Sequence, residues 1–587
     1  MHQGLVFPIP FSFMNTYQPS TNDICFILFD VLQAQDTLSQ LPALADNAES
    51  GLMRQVLEEA GKFVGAVVAP LNRDGDEIGA QWKDGGVTMP PGFRAAYQTF
   101  WQAGWPALSV SPEEGGQGLP MVLEMVLYEW LSAANHGWTM APGLLHGAYE
   151  CIKHHASPEL KARYLPKVAT GEWLTTMCLT EPHAGSDLGL VRTKAVPQND
   201  GSFKISGTKI FISGGDQDLT DNIVHMVLAR LPKSPPGPKG LSLFLVPKFY
   251  EDDRRSAVFC ERIEEKMGLH GSPTCVMRFE EATGWVVGEP GRGLSAMFVM
   301  MNAARLHVAL QGIGLLDAAW QKADHYSRER RQMRAPVRGE SPTEADLICE
   351  HPAIRRILNV QRAWIDGGRV LAYRTAVELD IAKHHPNTQR KQSAQQWCSL
   401  VTPVLKSAWT TQAFNGSSEC LQVFGGHGYV REWGIEQIVR DSRVSMIYEG
   451  TNEIQAIDLL VRKVLPDDGL GLTTLLQSLC DGLVPQISEH HAVFIHQVAE
   501  LGQLTEHLIG AARLNPELAY WVADDYLRAV ALTLMGWAWL QIESAIGADN
   551  ANPDPARWTA PASAFRHWVL PEFGMRLNII KIRIEEC

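Results

Sequence analysis

Three short stretches carry the residue types from which chemistry could be built. The first, Ile447-Tyr-Glu-Gly-Thr-Asn-Glu-Ile-Gln, sets Glu449 between Tyr448 and Gly450, just ahead of a helical register marked by Ile454, Ile457 and Val461. Thr451 stands where a helix N-cap belongs. A carboxylate carried into a tight apolar cavity at that point could accept a proton, because desolvation raises its pKa while a nearby helix N-terminus lowers it. Taken alone, an acidic residue beside a helix start is more often a cap or a solvated charge. The second stretch, Met177-Cys-Leu-Thr-Glu-Pro-His-Ala-Gly-Ser-Asp, runs a short apolar strand into a turn built on Pro182, Gly185 and Ser186, whose N–H and hydroxyl groups could meet an anion. The third, Lys209-Ile-Phe-Ile-Ser-Gly-Gly, puts Phe211 and Ser213 on one face of a strand by period-two alternation, a ring and a hydroxyl suited to a planar polar heterocycle. By itself it reads more simply as a half-buried strand closing in a Gly-Gly hairpin.

The pattern around these stretches indicates which elements would position them. From Leu52 to Leu71 the residues Met53, Val56, Leu57, Ala60, Phe63, Val64 and Val67 follow three- and four-residue spacing, which predicts an amphipathic helix, and the helical style continues to about Leu174. Between Thr175 and Phe279, β-rich runs such as Val224-His-Met-Val-Leu-Ala and Leu241-Ser-Leu-Phe-Leu-Val are punctuated by Asn199-Asp-Gly and Pro235-Pro-Gly-Pro, which predicts a small antiparallel β-domain. Helical spacing returns after Gly293 through Met297, Met300, Met301, Ala304 and Val308 to about Leu465, interrupted by a surface loop from Arg334 to His351. Another helical block follows Pro466, broken at Asn550-Ala-Asn-Pro-Asp-Pro. The expected fold is α+β and mostly α: an extension over 1–45, a helical domain over 46–174, the β-domain over 175–285, a helical bundle over 286–465 and an extra helical tail over 466–587.

At 587 residues the chain exceeds what one hydrophobic core supports, so several packed domains are needed. Its 45% hydrophobic and 20% charged content argues against disorder, collagen-like repeats and a membrane bundle. A net charge of −14 disfavours broad nucleic-acid binding. The ten cysteines hold no CxxC pair, which favours reduced thiols and a cytoplasmic location over disulfides or zinc, and no metal site is expected. Met1 to Phe13 is apolar but lacks a basic flank and a cleavage site, so a start at Met14 is a simpler reading than a signal peptide. The longest apolar run elsewhere, Ala529 to Ile542, is shorter than the roughly 20 residues that span a bilayer, and a buried helix is expected there.

Taken in order, the motifs resemble the acyl-CoA dehydrogenase family over nearly all of residues 50 to 465. Thr180 to Asp187 matches Thr-Glu-Pro-x-Ala-Gly-Ser-Asp, Phe211 to Ser213 the flavin-side strand, Gln422 to Gly428 Gln-x-Phe-Gly-Gly-x-Gly, and Tyr448 to Thr451 Tyr-Glu-Gly-Thr. The resemblance implies a helical N-terminal domain, a middle β-domain and a C-terminal four-helix bundle, assembled as a homodimer or homotetramer with FAD. It puts the flavin ring against Met177, Leu179, Thr180, Phe211 and Ser213, with Gly185, Ser186 and Thr451 also at the cofactor. Arg330, Gln422, Gly425 and Gly426 would meet the adenine and pyrophosphate half across a subunit boundary. Ser186, Arg305, Tyr448 and Gly450 would contact the acyl-CoA, and Glu449 would be the catalytic base. Asn302 replaces the acid of the family's Asp-x-x-Arg element that ends here at Arg305; Gln332 and Met333 stand where many relatives carry Thr and Phe, and Glu453 where Gln is common.

The implied reaction is α,β-dehydrogenation of an acyl-CoA thioester, with the α-proton taken by Glu449 and electrons passed on to an electron-transfer flavoprotein. Tyr17-Gln-Pro-Ser-Thr-Asn-Asp, Glu265-Lys-Met-Gly-Leu-His-Gly-Ser-Pro-Thr and the tail most resemble the long bacterial group of the family that includes 3-methylmercaptopropionyl-CoA dehydrogenase. The implied substrate is that thioester or a related short, medium or broad-range acyl-CoA. Three alternatives stay open: an acyl-CoA oxidase that admits oxygen, a catalytically silent scaffold, and a DNA-binding flavoprotein relative. The Lys/Arg-poor span from Asp467 to Pro555 argues against the last.

Overall fold

The computed structural model describes residues 16–337, 345–483, 489–547 and 554–586. Met1 to Met14, part of the predicted loop at 338–344 and Asn550 to Pro553 of the break in the tail lie outside the described residues. The N-terminal region is helical: α1 (Thr21–Cys25), α2 (Ala34–Leu38), α3 (Ser50–Phe63), α4 (Asn72–Ile78), α5 (Phe93–Gln102), α6 (Met121–Ala134), α7 (His136–Thr139), α8 (Leu145–His155) and α9 (Pro158–Ala169), with a hairpin of β1 (Gln81–Lys83) and β2 (Gly86–Thr88). α3 buries Met53, Leu57, Ala60 and Phe63, the stripe its spacing predicts. Its α geometry stops at Phe63, short of the expected Leu71: Val64–Val68 is a wider turn, and Pro70, which has no N–H to donate, sits in the tight turn Ala69–Leu71. The segment before residue 46 is no appendage, since Ile24, Ile27 and Leu28 are fully buried and Phe26 packs on Trp558 of the tail with ring centres 4.7 Å apart.

The middle of the chain forms one sheet from β3 (Leu174–Cys178), β4 (Lys194–Pro197), β5 (Phe203–Ser213), β6 (Ile223–Arg230), β7 (Leu241–Pro247), β8 (Val258–Ile263) and β9 (Thr274–Val287). The pairings β6–β4–β5–β9–β7–β6 close on themselves. Most are antiparallel, as the turn-punctuated runs predict, but β3 runs parallel to β6, with Leu174 opposite Ile223, and β4 meets β6 in parallel at Lys194 and Arg230. The cause of this correction is connectivity: β4 and β5 intervene between β3 and β6, so no hairpin joins the two and nothing forces them antiparallel.

The bundle consists of α10 (Gly293–Ser327), α11 (Pro352–His384), α12 (Thr388–Val423), the connecting α13 (Ile435–Arg443) and α14 (Asn452–Leu459), the last lengthened by a wider turn over Leu460–Val464. Two glycines of α10 let the long helices touch. A Cβ on Gly314 would stand 2.4 Å from the Glu129 carbonyl oxygen of α6, and one on Gly312 2.9 Å from that of Trp409 in α12. Only glycine permits such an approach. The tail supplies α15 (Leu470–Asp481), α16 (Glu489–Leu514), α17 (Glu517–Ile546), α18 (Ala556–Ala564) and α19 (Glu572–Glu585), with α17 lying along α11, α12 and α14, and α18 on α11. α10 and α17 are long and apolar enough to cross a membrane by composition, yet most of each apolar window is buried inside this fold. For α17 that matches the buried helix expected at Ala529 to Ile542.

A buried ionic cluster joins these parts. Asp317 of α10 accepts from Tyr17 at 2.9 Å, Arg362 at 3.0 Å and Arg369 at 2.7 Å, and Arg369 also reaches Glu129 of α6 at 2.8 Å. Arg557 of α18 bridges Asp366 at 2.8 Å and Asp23 at 2.9 Å. Burial opposes the charge on Asp317, but Arg369 and Arg362 outweigh it and hold the carboxyl below its usual range.

Candidate active site

The turn that carries Glu449 is left-handed twice over, with φ of +55° at Glu449 and +91° at Gly450. For a glutamate that conformation costs about 1–2 kcal/mol, so its neighbours must hold it. Thr451 ends the turn as the N-cap of α14, its hydroxyl accepting from the Ile454 N–H at 3.4 Å. Gln455 Nε2 donates to the carbonyls of Glu449 at 3.4 Å and Gly450 at 3.3 Å, and Lys406 Nζ of α12 donates to the Gly450 carbonyl at 2.8 Å. The φ of +91° at Gly450 is what favours glycine there, and a Cβ would also push Gln455 Nε2, 2.6 Å away, off its two carbonyls. Among the described residues no group accepts from the Glu449 N–H.

Glu449 is half-buried, its carboxylate keeping some solvent while losing much of its hydration to the surrounding protein. Burial pushes its pKa up to about 7 against the pull of Arg305 and Lys406. Arg305, only 8% exposed, comes from α10 and has a single long ion pair, to Asp458 at 3.8 Å. Tyr448 donates to Gln311 Oε1 at 2.5 Å and reaches Met140 Sδ at 3.7 Å.

The β-domain motifs reach the same place. Met177 is buried in β3, Leu179 and Thr180 are half-buried beyond its end, and Gly185 and Ser186 are exposed on the following turn. Glu181 anchors that turn by accepting from the Arg192 N–H at 2.8 Å, the Thr193 N–H at 2.9 Å and the fully buried Lys209 Nζ at 2.9 Å. Lys209 also donates to the Leu179 carbonyl at 3.0 Å, and the Ile210 N–H to that of Thr180 at 2.9 Å. The alternation argument for Phe211 and Ser213 needs correction. β5 bulges against β9 between Lys209 and Ile212, Phe211 takes φ +58°, and the two residues flank buried Ile212 through an irregular turn of backbone instead of regular pleating. Phe211 is left 61% exposed.

The segment 140–144 touches the Glu449 stretch, the end of the Lys209 stretch and the strand that leads into the Met177 stretch. Met140 meets Tyr448, a Cβ on Gly214 would lie 3.9 Å from that of Ala141, and Thr175 donates to the Leu144 carbonyl at 3.3 Å. The loop within Glu265 to Thr274 fixes the β-domain to the bundle, the Leu269 N–H donating to Asp441 of α13 at 2.6 Å. The result is a junction of three domains, with the Glu449 turn on the bundle's side and strand ends of the β-domain meeting residues 140–144 on the other.

Family models for the acyl-CoA dehydrogenase N-terminal, middle and C-terminal domains match residues 53–172, 176–282 and 291–464, and an acetyl-CoA dehydrogenase C-terminal-like model matches 473–587. The chain belongs to the acyl-CoA dehydrogenase family. As a member it is an oxidoreductase acting on acyl-CoA. It is 40% identical over 542 residues to 3-methylmercaptopropionyl-CoA dehydrogenase of Ruegeria pomeroyi, covering 89% of this chain and 90% of that protein. Two solved structures share its fold. A Caenorhabditis elegans protein, ACDH-11, in complex with C11-CoA gives a TM-score of 0.77 at 19% identity over 96% of this chain and 93% of that one. A Bacillus anthracis acyl-CoA dehydrogenase complexed with FAD gives 0.73 at 20% identity over 93% and 90%.

This acyl-CoA dehydrogenase keeps its glycine motif far from Glu449. Helix α12 rises about 1.5 Å per residue, so its last residue, Val423, two before Gly425, lies about 25 Å from Lys406 along it. Gln422, Gly425 and Gly426 are exposed, and a Cβ on either glycine would meet nothing within 4 Å. Arg330 lies at the same end, near Tyr326, whose hydroxyl is 2.9 Å from His427 Nδ1. The structure thus places Arg330, Gln422, Gly425 and Gly426 at one end of the bundle, Arg305, Tyr448, Gly450 and Thr451 around Glu449, and Met177, Leu179, Thr180, Gly185, Ser186, Phe211 and Ser213 in the neighbouring β-domain. The sequence reading assigns no role to Lys406, Gln311, Lys209 or Gln455. A signal existed for Lys406, the lone charge in the run Leu400 to Trp409.

Proposed function

We propose that this acyl-CoA dehydrogenase desaturates a thioester at its α,β carbons, with Glu449 as base and FAD as cofactor. The observation that carries the reading is a glutamate raised to about 7 on a turn whose own N–H lacks a partner. A flavin suits this junction: the exposed Phe211 ring, the Thr180 and Ser213 hydroxyls and buried Met177 would line its β-domain side, and the open backbone at Gly425 and Gly426 suits a pyrophosphate belonging to a second subunit's cofactor. Bound FAD supplies the acceptor for the hydride that leaves the β-carbon. The chain's own part is the proton. The Glu449 N–H donates to the thioester carbonyl, which acidifies the α-carbon, and the carboxylate removes the α-proton. A pKa near the working pH leaves the group both ionised and basic.

The similarity to the Ruegeria pomeroyi enzyme supports 3-methylmercaptopropionyl-CoA or a related short or medium acyl-CoA as substrate. An electron-transfer flavoprotein as acceptor, a homodimer or homotetramer and a cytoplasmic location complete the reading, the last supported by cysteines that are free throughout the described residues. The test is anaerobic mixing of flavin-loaded wild type and Glu449→Gln with a panel of acyl-CoAs. Wild type is expected to bleach, fastest with the preferred thioester, and the variant to bind flavin and thioester yet bleach roughly 10²–10⁴ times more slowly. No bleaching of wild type by any thioester would overturn the function, and equal bleaching by both would overturn the base.

A further inference from the structure

Lys406 is the one cation brought to the base turn from α12, and its surroundings are unusual for a lysine. It is fully buried, and among the described residues it makes no ion pair within 4.0 Å. Its Nζ is spent on two neutral acceptors, the Gly450 carbonyl at 2.8 Å and Asn452 Oδ1 at 2.9 Å. Burying an ammonium with no carboxylate in direct ion-pair contact is expensive, and a residue that served only packing would be apolar here. Asn452 is in turn fixed to α12 through the Ser407 carbonyl at 3.1 Å and the Thr411 hydroxyl at 2.9 Å. The first residues of α14 are therefore bolted to α12 at the point where the chain leaves its two left-handed residues.

We propose that Lys406 is a positioning residue for the base: by gripping the Gly450 carbonyl and Asn452 from the neighbouring helix it holds the left-handed Glu449–Gly450 turn, and it keeps a positive charge beside the Glu449 carboxylate. The inference rests on Glu449 being the base and deepens that assignment. Charged and titratable groups face Glu449 from each packed element. Arg305 comes from α10 and Lys406 from α12, while Tyr448 adjoins it in the turn; Glu453 and Asp458 on α14 act through the two cations. Burial lowers the Lys406 pKa to about 7 and the Glu449 charge opposes that shift, so the two charges support one another. Removing the cation leaves Glu449 with Arg305 alone, and its carboxyl should titrate higher.

The test compares Lys406→Met, which removes donor and charge, with Lys406→Gln, which keeps a shorter donor, in the flavin-loaded protein. One readout is independent of turnover: the carboxyl infrared band of Glu449, taken as the difference between each protein and its Glu449→Gln counterpart across pH. Both variants are expected to move that titration upward by about one pH unit. Flavin reduction by the preferred acyl-CoA should slow about tenfold to a hundredfold in Lys406→Met, with KM little changed, because the base is misplaced and not the thioester. Lys406→Gln should recover part of the rate. An unchanged titration and rate in a folded, flavin-bearing Lys406→Met would overturn the proposal, and so would a rate loss confined to KM. If Lys406→Met does not fold, Lys406→Gln decides by the same two readouts. Should no acyl-CoA reduce the wild-type flavin, the function proposed above falls while the infrared titration still decides the role of Lys406.

Discussion

At the scale of the residue, Glu449 turns on a sign that pH can read. A base acts only when ionised, and burial has raised the carboxyl proposed for that role from 4.5 to about 7. Flavin reduction should therefore rise with pH through about 7 and level above it, whereas a carboxylate near its reference value of about 4.3 would give a flat profile from pH 6 to 8. Stopped-flow bleaching between pH 5.5 and 9 distinguishes the two profiles. The same shift has a stability side. A carboxyl raised on folding binds its proton more tightly in the native state, so its favourable contribution is full at low pH and is lost as pH rises through about 7. Glu449→Gln should melt higher than wild type at pH 8 by a margin that shrinks steadily as pH falls from about 7 toward 4.5, and a gain independent of pH would point to packing instead. The sequence told which glutamate to examine, through the Tyr448-to-Thr451 string. It could not tell that the turn is left-handed, because that geometry is imposed by Lys406, distant along the chain, and by Gln455.

At the scale of the element, periodicity identified strands but not their partners. The runs at Val224 and Leu241 are strands as read, while the parallel β3–β6 pair and the bulge at Phe211 arise from contacts no local pattern records. The tie that keeps bulge and turn together is Glu181 with Lys209, both buried. Lys209→Met would leave the Glu181 carboxylate in the interior with its N–H and hydroxyl donors and only the His183 ring, 3.5 Å away, in place of the lysine. Removing one partner of a buried pair costs about 3–5 kcal/mol, and the loss should fall on the flavin-side turn first because Lys209 also holds the Leu179 carbonyl. The expected result is flavin release at lower temperature than global unfolding, read by flavin fluorescence against circular dichroism in one melt. Coincident transitions at the wild-type temperature would mean that the pair is incidental.

At the scale of the whole molecule, the order of helices, sheet, helices and tail was legible because apolar spacing changes period at each boundary, from three-to-four to two and back. How the parts dock was not, since the docking runs through charges: Asp23 from the extension, Asp317, Arg362, Arg369 and Asp366 from the bundle, Glu129 from α6 and Arg557 from the tail. Apolar patterning is silent about such residues, and in sequence each reads as a surface charge. The docking also sets the tail's role. α17 covers α11 and α12 with buried aromatics, Trp539 donating to the Ala363 carbonyl at 3.3 Å, so a chain ended after Val464 would bare that face and strand Asp366 without Arg557. Such a truncation should fail to yield flavin-bearing protein. Because aggregation alone is an ambiguous result, Arg557→Met provides the graded version. It leaves Asp23 and Asp366 with Arg362 as their shared cation, and a loss of about 3–5 kcal/mol is expected in urea unfolding at pH 7. Arg362 and Arg557 hold the Asp366 carboxyl below its usual range against burial, so the deficit should shrink as acid protonates that group. A truncated chain that keeps flavin and assembly, together with an Arg557→Met variant of wild-type stability, would make the tail an added module instead of a wall of the core.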